Sequence, residues 1–197
     1  MKWCNCFAIC YTPYMNMSII ANCIIIVLEA IGLYISISAR KWQVAAYYTQ
    51  ISNIITAVSS ACLLCLGASP FTAGLRYLST CMLTMTFLIT LFVLVPMGGG
   101  FRKLMLSGNG LYHHTLCPAI SVTSYILWEQ HNSVIIIPVI VTFIYGIVML
   151  FMNYYRKFDG PYPFFRVHNQ SRLATVLWTA ALIMLIAVIS LGVSAIS

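Results

Sequence analysis

Charge is scarce in this chain. Glu29, Glu129 and Asp159 are the three acidic residues, against ten Lys/Arg, and charged residues make up 7% of the 197. A water-soluble domain of this size carries about 25%. Other signals are missing too. The glycine-rich stretch from Gly98-Gly99-Gly100 to Ser107-Gly108-Asn109-Gly110 lacks the Gly-Lys-Ser/Thr ending of a phosphate loop and is expected to be a flexible connection. No basic cluster is interleaved with aromatics, so nucleic acid is excluded as a partner. Lys2 is a thin start for a signal peptide and no small-residue cleavage pattern follows. There is no internal repeat and no low-complexity tract.

The eight cysteines do not make a disulfide framework. Cys23, Cys62, Cys65, Cys81 and Cys117 lie in apolar runs, where a thiol behaves as a small hydrophobe. Cys4, Cys6 and Cys10 cluster ahead of the first run. They are read as incidental membrane-adjacent thiols rather than a metal or acylation site, because no second ligand pair follows.

What the chain has is apolar length: 61% of its residues are hydrophobic and its net charge is +7. A membrane span needs about 20 mostly apolar residues. Six such runs are expected, at about 17–38, 47–66, 77–97, 112–129, 133–155 and 173–196. Backbone polar groups must be satisfied within each segment in lipid, and the alternation of barrel strands is absent. The expected fold is therefore all-α, a single integral membrane bundle of six transmembrane helices. Arg40, Lys41, Arg102, Lys103, Arg156, Lys157, Arg166 and Arg172 fall in the odd-numbered loops, and Lys2 and Arg76 on the other side. The positive-inside rule places the odd-numbered loops in the cytoplasm and both termini outside. The Asp159–Phe165 stretch, with two prolines and a glycine, reads as a rigid turn whose aromatics suit the headgroup zone.

Polar groups inside such helices mark helix contacts or sites. In the second run, Thr49, Ser52, Asn53, Thr56 and Ser60 share one helical face. In the fourth, His114, Cys117, Ser121 and Ser124 share a face, with His113 beside them. Ser52, Ser59, Ser60 and Ser121 fit close helix packing. Glu29 and the two histidines are too costly in lipid for that account alone. Thr49 and the histidines both begin helices that enter from odd-numbered loops, so they share one side of the membrane. A hydroxyl beside an imidazole is the minimum for a nucleophile with a general base. Glu29, about 13 Å inside the end of the first helix, would orient the imidazole or hold a polar network below it. Glu129 lies too far along the fourth helix to join. Structural histidines and a capping or packing threonine are the plainer alternatives. A metal centre from His113, His114 and Cys117 is disfavoured, since adjacent histidines diverge on a helix and no carboxylate completes the set.

Three segments together are similar to the androgen-induced gene family of six-span membrane proteins and their bacterial relatives. They are Tyr47-Tyr48-Thr49-Gln50-Ile51-Ser52-Asn53, His113-His114-Thr115-Leu116-Cys117-Pro118 and Gly160-Pro161-Tyr162-Pro163-Phe164. The resemblance implies an intramembrane threonine hydrolase of fatty acid esters in the plasma membrane of a bacterium. Thr49 would be the nucleophile, and His114 or His113 the base. Spacing to Pro118 favours His113 by the animal pattern and His114 by the bacterial one. His114 is preferred because it shares a face with Cys117 and Ser121. Asn53, one turn beyond Thr49, would donate to the oxyanion. The expected partners are membrane lipids, with a lipid-ester substrate arriving laterally from the bilayer, and no cofactor is implied. The rival readings are a small transporter or channel lined by Asn22, Glu29 and the hydroxyl stripes, and a non-catalytic scaffold or lipid binder.

Overall fold

The structure is a computed structural model describing residues 4–158, 160 and 162–196, with side chains in those ranges except at 4–14, 40, 42 and 45. The side chains of Cys4, Cys6 and Cys10, and Asp159 and Pro161 of the expected turn, lie outside the described residues. Among those described there is no strand. The helices are α1 (Cys4–Arg40), α2 (Tyr48–Leu66), α3 (Pro70–Ile89), α4 (Phe101–Met105), α5 (Cys117–Trp128), α6 (Ile136–Tyr154) and α7 (Arg172–Ile196).

Among the described residues, five helices are long and apolar enough to cross a membrane: Met15–Ala39 within α1, Tyr48–Leu66, Pro70–Gly99, Ile136–Tyr154 and Arg172–Ile196. Four of the expected spans match these closely. The third begins earlier than expected. Ser69 and Thr72 form a reciprocal capping box and Pro70 takes the first turn, where its missing N–H costs nothing. Arg76 is therefore not a loop cation; it lies inside α3 and is fully buried. The expected fourth span is the one not among the five. It is a π segment, Leu111–Leu116, running into the short α5. Pro118 has no N–H to give, and its ring crowds the carbonyl four residues back, which in an α-helix would be that of His114. The wider π turn ahead of it relieves this.

α3 is the centre of the bundle. It packs on α2, α5, α6 and α7, while α1 packs on α2 and α5. The α2–α3 contact is zipped by hydroxyls, Ser52 to Thr86 at 3.0 Å and Ser59 to Ser79 at 2.9 Å. These are the small residues expected to allow close approach. Tyr77 of α3 donates to the Ser190 carbonyl of α7 at 2.7 Å. Large apolar side chains such as Ile140, Phe143, Ile147, Leu177, Met184 and Val188 point outward from α6 and α7. Helices that turn so many large apolar side chains outward are suited to a hydrocarbon solvent. After α3 comes a π segment, Thr90–Gly99, containing Pro96; Gly98 near its end and Gly100 just after it are both at positive φ (97° and 73°), a region open to glycine. The glycine-rich connection thus holds a sharp turn and a short basic helix, α4.

Candidate functional site

The first N–H groups of a helix have no partner within it. The side chain of Tyr47, at the cap of α2, does not cap the helix. Two phenols do so instead. Tyr145 of α6 accepts the Tyr48 N–H at 3.0 Å and donates to the Ala46 carbonyl at 3.0 Å. Tyr162 accepts the Thr49 N–H at 3.3 Å and lies 3.1 Å from Thr49 Oγ1. Either hydroxyl can donate in this pair; where the Tyr162 hydrogen bonds Oγ1, the threonine hydrogen is free for another acceptor. Tyr162 precedes the 3-10 turn Pro163–Phe165 and stacks on Phe164, with ring centroids 5.2 Å apart and planes 4° from parallel. Burial pushes its phenol above the ordinary range, so it keeps its hydrogen at neutral pH.

Two cavities meet at this pair. One, of about 430 Å³, is partly polar and is lined by Ser36, Gln50, Lys103, Asn109 and His114 among others. The second is a narrow apolar crevice of about 40 Å³ between α2, α3, α6 and α7, walled by Met85, Ile89, Phe143, Gly146, Leu182 and Ile183 among others. Thr49, Leu94 and Tyr162 line both.

The two histidines part company. His114 faces the polar cavity, and its Nδ1 lies 2.9 Å from Thr90 Oγ1. His113 is fully buried, with Nδ1 3.1 Å from Gln50 Nε2 and Nε2 3.5 Å from Glu29 Oε2. A Cβ on Gly32 of α1 would stand 2.2 Å from His113 Nε2, so the ring fills the space a side chain would need. Both Glu29 oxygens, His113 Nε2 and Gln50 Oε1 are buried without hydrogen-bond partners. Cys117 sits beside Glu29, on the His113 side of the helix. The shared face expected for His114 and Cys117 is thus not what forms: the π turn between them takes in an extra residue and shifts the phase.

Neither imidazole hydrogen-bonds to Thr49 among the described residues. Thr49 and His114 share a cavity wall, whereas His113 and Glu29 form a separate buried pair behind it. Asn53 donates its amide to the Thr49 carbonyl one turn back and lines neither cavity, so it is turned away from the expected oxyanion position.

A second polar cluster, not anticipated, lies elsewhere in the bundle. Arg76 Nε donates to Glu129 Oε2 at 2.8 Å and Nη2 to Oε1 at 3.1 Å, a two-pronged pair with both side chains almost fully enclosed. Ser60, Ser79 and Ser121 accept the remaining guanidinium hydrogens, and Ser124 and Asn22 donate to Glu129. The signal was the pairing of one mid-chain cation with one acid at the end of the fourth run.

Fold and site define an all-helical protein with five helices fit to cross a membrane and a threonine, a phenol and an imidazole around one cavity. No family model matches the chain, and neither a curated protein nor a solved structure matches it.

Proposed function

We propose that the chain is an integral membrane hydrolase of lipid esters, with Thr49 as nucleophile and His114 as general base. The observation that carries this reading is the position of Thr49 at the meeting point of a polar cavity and an apolar crevice, with His114 on the polar side. An acyl ester needs both environments, one for its chain and one for water and the leaving group. Apolar side chains of α6 and α7 line the crevice, and a lipid arriving from the bilayer would enter between them. The motif resemblance to the androgen-induced gene family supports Thr49, and by its bacterial spacing to Pro118 it supports His114.

In the tautomer whose Nδ1–H donates to Thr90 Oγ1, His114 keeps a lone pair on Nε2 to act as base. Thr49 Oγ attacks the ester carbonyl carbon, the π electrons move to the carbonyl oxygen, and the hydroxyl proton passes to Nε2, through a cavity water where the two do not touch. Collapse of the tetrahedral intermediate expels the alcohol, which takes that proton. Water repeats the sequence on the acyl-threonine and releases the acid. His113 is held between Gln50 and Glu29 and serves as a buried support for α5.

The helical run 111–128 serves as the sixth span. At about 1.5 Å per residue it is near 27 Å long, close to the hydrocarbon thickness. Odd-numbered loops then face the cytoplasm, the more so now that Arg76 is removed from the opposite side. Asn22 and Glu29, the groups suggested for a transport path, belong to two separate clusters.

The test is labelling by a fluorophosphonate probe. Thr49→Ala is expected to abolish labelling, and His114→Ala to slow it by about 100-fold or more. Undiminished labelling of Thr49→Ala would remove the nucleophile and the proposal with it.

A further inference from the structure

We infer that Tyr162 is a third catalytic residue of this site, its phenol holding the Thr49 hydroxyl before attack and donating to the oxyanion after it. The inference rests on the threonine-hydrolase reading. Its geometry is on the page: the Tyr162 hydroxyl is 3.1 Å from Thr49 Oγ1 and 3.3 Å from the Thr49 amide nitrogen. In acyl transfer these two atoms bracket the developing charge, since the oxyanion forms on the carbon bonded to the nucleophile and the nucleophile's own N–H is a ready donor to it. The phenol oxygen therefore stands where a bound ester's carbonyl oxygen would seek its hydrogen bond.

When an ester enters, its carbonyl takes the amide hydrogen. The phenol gives up that bond and keeps its own O–H to offer. As Oγ forms its bond to carbon it becomes a poorer acceptor, and the Tyr162 hydrogen turns to the neighbouring oxyanion. No covalent bond to Tyr162 forms or breaks in this exchange. The donor expected from sequence, Asn53, has its amide committed to the Thr49 carbonyl. Of the residues that wall both cavities, Thr49, Leu94 and Tyr162, the phenol is the one side-chain donor besides the nucleophile. The ring is braced by its stack on Phe164, which in turn packs against Trp178 at 5.6 Å, so the hydroxyl stays beside Thr49 while the amide bond is exchanged.

A bare helix-capping role is separable from a catalytic one, because Tyr145 caps the same helix end through Tyr48 without touching Thr49. The experiment measures hydrolysis of the p-nitrophenyl ester of a long-chain fatty acid by the purified full-length protein in detergent. Tyr162→Phe is expected to lower kcat roughly 100- to 1,000-fold with KM little changed, and at least tenfold more than Tyr145→Phe. Equal losses in the two variants would reduce Tyr162 to a cap. Replacing Tyr162 by 3,5-difluorotyrosine keeps the shape and the hydroxyl but makes it more acidic. The alkaline limb of the kcat profile is then expected to move to lower pH, and an unmoved profile overturns the inference even where the phenylalanine variant folds badly. Loss of activity in Thr49→Ala with wild-type kcat in Tyr162→Phe sinks this inference alone. Wild-type activity in Thr49→Ala, or none in the unaltered protein, sinks the parent reading as well.

Discussion

Gly32 shows how tightly single residues are constrained at the buried histidine. The position has no room for even one methyl group, because the His113 imidazole occupies it. Gly32→Ala must displace either the ring or α1, and overpacking of this kind costs about 1–3 kcal/mol. The melting temperature in detergent is expected to fall accordingly, and to fall much less when the same change is made in a His113→Ala background, where the clash is gone. At this scale the sequence led to the expectation that Thr49 and His114 lie near one another, and the structure brings both to the wall of one cavity. Tyr162 was legible only as part of a turn. Its contact with Thr49 spans 113 residues and depends on how that turn docks, which no local pattern encodes.

Helices depart from the sequence reading where a single residue alters their start or phase. α3 begins at Pro70, not 77, because the Ser69–Thr72 box caps it there and Arg76 is tolerated inside through Glu129. Hydropathy alone places a cation in a loop; only a partner from another helix lets it stay in. The same logic explains the fourth run. Its apolar length was readable, but the π turn before Pro118 was not, and that turn decides which histidine faces the cavity. The Arg76–Glu129 pair gives a test at this scale. Arg76→Leu leaves a buried carboxylate unpaired and is expected to cost about 3–5 kcal/mol, whereas Arg76→Leu combined with Glu129→Leu removes both charges and should recover much of the loss. Thermal unfolding of the purified variants distinguishes the two. A double variant no more stable than the single one would mean that the serines and Asn22 around the pair, not the pairing itself, set the stability.

Among the described residues the whole molecule combines an apolar core with buried polar clusters and an apolar exterior, and its all-helical character and most of its candidate spans follow from composition alone. Its sidedness is open to direct measurement. In a cysteine-free background, a cysteine placed at Ser107, exposed in the glycine-rich connection, should be shielded from a membrane-impermeant maleimide in intact cells. One at Ala68, exposed in the turn before α3, should react. The opposite pattern inverts the proposed topology. The two phenols that finish the amino end of α2 have a consequence for biogenesis. They are translated 97 and 113 residues after the positions they serve. A ribosome therefore delivers the threonine into the bilayer disarmed, among the very esters it is proposed to cleave, and arms it only when the carboxyl-terminal third of the chain has been inserted and has folded back.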